Sequence, residues 1–232
     1  MQHIKILTYN VQTGKKIDRI IDWLNRLPDT EIICLQEFPK DKIEESMLLL
    51  GRVPYKYVFA EGFTYRKRMY GELTIYRSDC IKNIRSKIVT LGINTIERRI
   101  LRTTIPRSYL LLSGTIHGIP ITFINVHIVA LAMNAAKYAQ VTLMLEQLSA
   151  INNPLIVLGD FNISSIIGKK RLIGLFKKSG FIMHPKKIAT HRVGIIRHQF
   201  DYIFTRRCVI SEQSVWRVKF SDHFPIAATC QL

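Results

Sequence analysis

Acidic residues and cysteines are both scarce in this chain. It has 17 Asp and Glu against 34 Lys and Arg among 232 residues, and its four cysteines lie far apart and form no CxxC pair. Such isolated cysteines favour buried free thiols in a reducing compartment over disulfides.

Long apolar runs and linkers are missing as well. No apolar stretch reaches the roughly 18–20 residues of a membrane-spanning helix, and the start, MQHIKILTYN, lacks the basic region and apolar run of a signal peptide. We therefore expect a cytoplasmic protein without a transmembrane segment. Because no Pro/Gly/Ser-rich linker or repeat interrupts the chain, we also expect one domain over 1–232, acting as a monomer. Apolar residues make up 47% of the chain, which is enough for a sizeable core.

The excess of positive charge is uneven. Residues 165–219 hold 13 Lys and Arg but only two acids, and TYRKRMY at 64–70 places three bases among aromatic residues. Any single basic cluster is typical of an ordinary surface. A half-chain so skewed favours a polyanionic partner, with nucleic acid first and an anionic membrane second.

Strand patterns outnumber helix patterns. Strands are predicted over 3–9, 31–35, 73–76, 109–116, 120–126, 154–158 and 200–204, with a last strand at FPIAATC (224–230), and helices over 15–27, 134–150 and 169–180. Pro28 is expected to stop the first helix and Gly180 to cap the last. Several strands are apolar without alternation, which indicates sheets covered on both faces. The pattern predicts an α/β protein with mixed sheets.

Chemically active side chains stand at the ends of these strands. They are Asn10, Glu37, His127, Asp160, Asn162, Asp222 and His223, with Asp201 inside the strand FDYIF. Taken singly, each is typical of a turn, an exposed carboxylate or a satisfied histidine. Converging strand ends would instead form a site in which carboxylate and amide oxygens suit Mg²⁺. A carboxylate such as Asp201 would fix the tautomer of a histidine that acts on phosphate.

Seven short segments, each at a strand end, follow one another in the order TYNV, LQE, YGELTIYRS, NVH, GDFN, FDYIF and SDHFP. This series resembles the endonuclease/exonuclease/phosphatase superfamily, which includes deoxyribonuclease I, exonuclease III-like apurinic endonucleases and the tyrosyl-DNA phosphodiesterase 2 type. The resemblance spans residues 4–230. It implies a four-layer α/β sandwich, in which two mixed β-sheets pack face to face with helices outside and the site lies at one end.

The resemblance also implies a role for each polar position. Glu37 would be the principal Mg²⁺ ligand, with Asn10 beside it and Mn²⁺ as the alternative ion. Asp160 would orient or deprotonate the attacking water, and Asn162 would hold that water or the phosphate. His223, supported by Asp201, would contact the scissile phosphate. The remaining two roles fall to Asp222, which would assist the metal or fix His223, and to His127, which would bind a phosphate oxygen or protonate the leaving oxygen.

Some positions depart from the apurinic endonucleases, which usually have an acid at the position of Gln12 and tend to lack a histidine at His127. These departures favour the deoxyribonuclease, tyrosyl-phosphodiesterase or phosphatase branches. Glu72 is expected to face solvent, with a pair to His127 as the alternative. Candidate substrate contacts are Arg66, Arg68, Arg98, Arg99 and His191.

Basicity then decides between substrates. The leading hypothesis is a Mg²⁺-dependent nuclease or phosphodiesterase that acts on DNA, as endonuclease or exonuclease. The runner-up is a lipid or inositol-phosphate phosphoesterase, although the sequence shows no added apolar hairpin or lipid-binding domain. A third hypothesis is a catalytically silent nucleic-acid-binding module on the same fold.

Overall fold

The computed structural model describes residues 2–27, 30–51, 53–184 and 188–232, so Pro28 lies outside the described residues. Within these ranges the chain forms fourteen strands and five α-helices. The strands are β1 (His3–Asn10), β2 (Ile32–Pro39), β3 (Tyr55–Tyr65), β4 (Arg68–Arg77), β5 (Ile81–Gly92), β6 (Arg107–Ile116), β7 (Ile119–His127), β8 (Leu155–Asp160), β9 (Ile182–His184), β10 (His191–Val193), β11 (Ile196–His198), β12 (Asp201–Arg206), β13 (Val209–Val215) and β14 (Ile226–Gln231). The helices are α1 (Ile17–Leu24), α2 (Ile43–Leu49), α3 (Thr95–Leu101), α4 (Asn134–Leu148) and α5 (Ile166–Lys178).

The strands form two six-stranded mixed sheets and one small hairpin. The first sheet has the order β13-β14-β1-β2-β4-β3, and the second has the order β5-β6-β7-β8-β12-β9. Each sheet contains one parallel pair, β1 with β2 and β7 with β8, while its other neighbours are antiparallel. The hairpin of β10 and β11 stands apart from both.

The two sheets pack face to face. Ile6 and Cys34 of the first sheet share a buried apolar cluster with Leu112, Phe123 and Leu158 of the second. Helix α1 covers the outer face of the first sheet, and α4 and α5 cover the outer face of the second. The predicted four-layer sandwich is confirmed. No described helix is both long and apolar enough to cross a membrane.

The predicted elements are present, but others were missed. The predicted helices begin or end up to three residues away from α1, α4 and α5, and β4 begins at Arg68, five residues before the predicted strand. Strands β3, β5, β9, β10, β11 and β13, and helices α2 and α3, were not predicted. Strand β5 shows why: it lies at the edge of its sheet and is mostly exposed, with lysine and arginine at its outward positions, so its apolar pattern is weak.

The parallel pairs explain why the polar strand ends meet. The carboxyl ends of β1 and β2 lie at one edge of the first sheet, and those of β7 and β8 lie at one edge of the second. Because β1 contacts β8 and β2 contacts β7 across the sandwich, both edges face each other. Strand β12 runs antiparallel to β8, so it begins where β8 ends.

A buried polar network joins the sheets beneath this end. The side-chain amide of Asn125 in β7 donates to the carbonyl oxygens of Leu35 and Leu73 in the opposite sheet, at 3.2 and 3.1 Å. Its oxygen accepts from Nε2 of Gln36 at 2.7 Å. Satisfied polar groups of this kind specify one relative position of two packed layers.

Candidate active site

Three acid or imidazole side chains occupy one row of the second sheet. His127 of β7 pairs with Asp160 of β8, and Asp160 pairs with Asp201 of β12. Gly159, just before Asp160, has φ +146°, and a Cβ there would lie 1.9 Å from the carbonyl oxygen of Val126. The glycine of GDFN therefore permits the close approach of β7 and β8 that builds this row.

Glu37 reaches the site through a β-bulge. Between Leu35 and Phe38 the pairing of β2 with β4 shifts by one residue, and Glu37 has φ +56° in the left-handed region. Bulges of this kind redirect a side chain and often lie beside active sites. The carboxylate of Glu37 is 20% exposed, whereas that of Asp160 is 1% exposed.

Asn10 connects the carboxylates of the two sheets. Its Nδ2 donates to Oε1 of Glu37 at 3.2 Å and to Oδ2 of Asp160 at 2.9 Å. Its Oδ1 accepts from the backbone N–H of Gln12 at 2.9 Å. In this arrangement the amide nitrogen of Asn10 faces both carboxylates, and its predicted role as a metal ligand stays a prediction.

His223 lies against both aspartates of the row. Its Nδ1 is 2.9 Å from Oδ2 of Asp201, and its Nε2 is 3.7 Å from Oδ2 of Asp160. Burial alone lowers the pKa of His223, but the charges of Asp201 and Asp160 outweigh it and raise the pKa to about 10. The imidazole is therefore protonated at neutral pH, with Nε2–H directed into the site.

Asp160 remains in the range of a general base. Burial raises its pKa to about 6, while the charge of His223 and the hydrogen bond from Asn10 oppose the rise. Its second oxygen, Oδ1, accepts from the backbone N–H of Asn162 at 2.8 Å. Asn162 has φ +53° and donates its side-chain amide to the carbonyl oxygen of Ile128 at 2.9 Å, so the turn that follows β8 is fixed.

His127 has the opposite charge state. Its Nε2 lies 3.7 Å from both Oε1 of Glu37 and Oδ2 of Asp160, and it has no hydrogen-bond partner among the described residues. Its Nδ1 is 3.1 Å from Nη1 of Arg107, which can only donate. Nδ1 is therefore the acceptor and Nε2 carries the proton. Burial and the charge of Arg107 lower the pKa of His127 well below its usual value, so the ring is neutral.

Arg107 is the arginine that sequence reasoning missed. It is 2% exposed, forms a two-point ion pair with Glu97 of α3 (Nε to Oε2, 2.9 Å; Nη2 to Oε1, 2.5 Å) and lies over the ring of Phe63 at 4.5 Å. The only feature of the sequence that marks Arg107 is its position as a charged residue just before the apolar run of β6. That signal resembles any exposed base at the start of a strand.

Glu72 corrects an expectation. It is fully buried rather than solvent-facing, because it shares a face of β4 with Thr74 and Tyr76, and that face packs on the second sheet. Its Oε1 lies 4.0 Å from Nδ1 of His127, and neither oxygen has a hydrogen-bond partner among the described residues. Burial raises the pKa of Glu72 to about 8, so this carboxyl group is neutral beside His127 at pH 7.

Asp222 and His191 form the other flank of the site. Oδ2 of Asp222 accepts from Nε2 of Gln12 at 2.7 Å and lies 3.8 Å from Nε2 of His191. The His191 ring is buried and packs between Phe200 and His223, with ring centroids 4.6 Å from each. His191 thus packs against His223, and its predicted contact with substrate stays a prediction.

The other predicted substrate contacts lie on the surface. Arg66 lies in the turn between β3 and β4, over the ring of Tyr65, and Arg68 is engaged by Asp41 at 2.7 Å. Arg98 and Arg99 are exposed in the last turn of α3. Within the part of the chain that the structure describes, no hydrogen bond or ion pair joins these four arginines to the candidate site.

Two unlike cavities flank the site. On the Glu37 side, a cavity of about 370 Å³ is lined mainly by apolar side chains, including Phe63, Tyr65, Ile100, Leu101 and Leu131. On the Asp222 side, a cavity of about 430 Å³ is lined by Arg192, Arg197, Arg217 and Lys219.

The hairpin of β10 and β11, which was not predicted, has an apolar tip beside the basic cavity. Ile195 at its tip is 94% exposed, and Val193 and Ile196 are also exposed.

The donor set fits a divalent cation on the Glu37 side. Glu37 and Asp160 offer carboxylate oxygens that share one amide donor, and oxygen ligands are those that Mg²⁺ prefers. Asp160, Asp201 and His223 also lie close enough to share an ion. His191, Asp222 and His223 form another group of this kind.

Comparison with known proteins agrees with the fold. The sequence profile of the Endonuclease/Exonuclease/phosphatase family matches residues 7–223. A humanized TDP2 from D. rerio is 15% identical, with a TM-score of 0.80 and 99% of each chain covered. The mannosyl-6-phosphatase Bt3783 of Bacteroides thetaiotaomicron is 15% identical, with a TM-score of 0.79 over 99% of this chain and 100% of that one. D. rerio TDP2 complexed with a single-strand DNA product is 15% identical, with a TM-score of 0.75 over 100% of both chains. At this identity the structures show a shared fold alone, and no curated protein matches by sequence.

Proposed function

The chain belongs to the endonuclease/exonuclease/phosphatase family, and on that premise we propose that it is a Mg²⁺-dependent phosphodiesterase that hydrolyses DNA. One observation carries the proposal: an unbroken series of side chains at one end of the sandwich. Glu37, His127, Asp160, His223 and Asp201 follow one another with no step longer than 3.7 Å. Such a series places a base (Asp160), a cation (protonated His223) and a neutral hydrogen-bond donor (His127) around one point.

Asp160 acts on the attacking water. Its pKa of about 6 leaves it ionised at neutral pH yet basic enough to accept a proton. Asn10 and the N–H of Asn162 hold both carboxylate oxygens, so the direction of the free lone pairs is fixed before substrate binds.

His223 and His127 act on phosphate oxygens as two different donors. Protonated His223 offers a positive charge, and Asp201 prevents its ring from turning. Neutral His127 offers Nε2–H, because Arg107 occupies Nδ1. Charge that develops on the non-bridging and leaving oxygens is therefore met by donors already in place.

The metal completes this set. Mg²⁺, held by Glu37 beside Asp160, would supply the Lewis acidity that stabilises charge on the phosphate oxygens. It would also overcome the repulsion between two carboxylates and an anionic substrate.

Charge supports DNA as the substrate. The formal net charge is +17, and a phosphate backbone is the polyanion that such a surface binds with release of counterions. Among proteins of the same fold, TDP2 was solved with a single-strand DNA product. The mannosyl-6-phosphatase shares the fold equally well, so the choice rests on this chain's own charge.

A plasmid assay with site variants tests the proposal. We expect supercoiled plasmid to be nicked with Mg²⁺ and to stay intact with EDTA. Asp160→Asn and His223→Ala should lower the rate about 10²–10⁴-fold, the usual contribution of a positioned acid or base, while DNA binding survives. Asp22→Asn in helix α1 and His3→Ala at the opposite end of β1 from Asn10, both at exposed positions, serve as matched controls. Near-normal rates in either site variant would contradict the roles assigned, and a gel shift without turnover would indicate a binding module.

One observation favours a second candidate, a lipid phosphoesterase. The exposed Val193, Ile195 and Ile196 between two arginines are typical of a segment that enters the interface of an anionic membrane. Phosphate release from phosphoinositide vesicles, without plasmid nicking, would support this candidate over the first.

A further inference from the structure

Four basic side chains converge on the cavity at the Asp222 flank. Arg192 and Arg197 come from the hairpin of β10 and β11, and Arg217 and Lys219 come from the segment between β13 and β14. Together with Ser221, Asp222 and Phe224 they enclose about 430 Å³. Oδ2 of Asp222 in the cavity wall lies 3.8 Å from Nε2 of His191, and the ring of His191 packs against His223. The cavity therefore lies directly beside the candidate active site.

Among the described residues these cations form none of the ion pairs that other surface arginines form, although Nε of Arg192 donates to the carbonyl oxygen of Gly194 at 2.7 Å. Arg26, Arg68 and Arg77 each form an ion pair with an aspartate at 2.6–2.7 Å. Among the described residues, no carboxylate lies within ion-pair distance of any cation in the cavity.

Asp222, the acid in the cavity wall, is already bound by Gln12 and Ser221. Like charges gathered in one concave space repel one another, and a bound anion relieves that repulsion. The composition of the cavity therefore favours an anionic ligand.

The chemistry of the cations indicates which anion. Three of the four are arginines, whose planar donors match the oxygens of phosphate in pairs. We propose that this cavity binds a second phosphate of a polynucleotide whose scissile phosphate lies at Asp160 and His223. This proposal rests on the proposed function, because it places both phosphates on one substrate. It predicts that the protein favours chains with consecutive phosphates over esters with one.

A binding experiment tests the cavity without relying on turnover. The probe is a fluorescein-labelled single-stranded DNA of twelve nucleotides in EDTA, followed by fluorescence anisotropy. Arg197→Gln/Arg217→Gln should raise Kd at least tenfold and reduce the slope of log K against log salt by about 0.7, the value for one phosphate of a single strand. Arg85→Gln/Lys87→Gln, on the exposed face of β5, removes the same charge elsewhere and should change Kd less than threefold. Equal effects of the two double variants would overturn the proposal.

A kinetic experiment places the second phosphate on the substrate. Wild-type protein should have a higher kcat/KM on a thymidine tetranucleotide than on thymidylyl-thymidine, which has one phosphodiester. The Arg197→Gln/Arg217→Gln variant should lose this preference through a higher KM on the tetranucleotide, whereas Arg85→Gln/Lys87→Gln should keep it. An unchanged preference would refute the assignment.

Two further outcomes separate the cavity from the proposed function. If wild-type protein hydrolyses neither substrate but DNA binding depends on the cavity, the proposed function fails and the phosphate site stands. If the double variant weakens binding to vesicles of phosphatidylcholine and phosphatidylserine but leaves DNA binding unchanged, the cavity faces a membrane and the proposal is overturned.

Discussion

Glu37 is held in a backbone conformation that glycine would adopt more easily. Its φ of +56° lies within the bulge of β2, where a Cβ is crowded by the backbone. We expect that Glu37→Gly is more stable than Glu37→Ala, although both variants lose the carboxylate and the hydrogen bond from Asn10. Their difference isolates the backbone conformation.

The size of this difference follows from two opposing effects. A residue with a Cβ in the left-handed region costs about 1–2 kcal/mol. Glycine gives up about 0.5–1 kcal/mol through its greater freedom in the unfolded chain. Glycine should therefore be favoured at position 37 by about 0–1.5 kcal/mol; the midpoint, about 0.75 kcal/mol, raises Tm by about 1.5–3 °C for a chain of this length.

Thermal and urea unfolding followed by circular dichroism measure the difference. Glu146, exposed in helix α4, provides the control pair, because glycine in a helix costs about 1 kcal/mol relative to alanine. The order of stability should thus reverse between the two positions, with Gly above Ala at 37 and Ala above Gly at 146. If Ala were the more stable at both positions, the bulge would not hold Glu37 in the left-handed region and our account of how the carboxylate is aimed would be wrong.

Three other predictions concern burial and close packing. Since burial raises the pKa of Glu72 to about 8, the folded protein keeps a proton that the unfolded chain releases near its usual pKa. The raised pKa of Glu72 should therefore lower stability as the pH rises from about 4.5 to 8, in addition to the decline caused by the raised pKa values of Asp160 and His223. The wild type should thus lose stability more steeply than Glu72→Gln; parallel urea-derived stability curves from pH 4 to 9 would refute it. Arg107→Met leaves Glu97 buried and unpaired, so we expect the free energy of unfolding to drop by about 3–5 kcal/mol; adding Glu97→Gln should recover much of it, and a double variant no better than the single would contradict the pairing. Gly159→Ala would place its Cβ 1.9 Å from a backbone oxygen, so insoluble or unfolded protein is expected, whereas a normal melting curve would show that β7 and β8 can separate.

Much of the site could be predicted because strand ends carry a strong signal. Asn10, His127 and Asp160 each follow an apolar run, and parallel neighbours place such ends at one edge of a sheet. Asp201 needed a partner because it lies inside an apolar strand, and the structure places His223 beside it at 2.9 Å. The roles of these residues stay predictions, as do the single domain, the monomer and the cytoplasmic location.

The remainder depended on contacts that no local pattern records. Arg107 and Glu97 are ten residues apart and read as two surface charges, yet they form a buried pair that fixes His127. The alternation of side chains along β4 assigns Glu72 to one face of its sheet, but that face packs against the second sheet. Whether a polar residue on such a face is exposed to solvent or buried depends on whether another layer of the fold packs against that face.

The row of His127, Asp160 and Asp201 makes the site depend on the correct register of β8 in its sheet. These residues face one another rung by rung across three strands, and successive side chains of a strand point to opposite faces. A slip of β8 by one residue would turn its aspartate to the helix-covered side and take both neighbours out of alignment. A molecule with β8 in the wrong register should therefore have no activity rather than reduced activity. The fraction of active molecules in a refolded sample would then equal the fraction with the correct register.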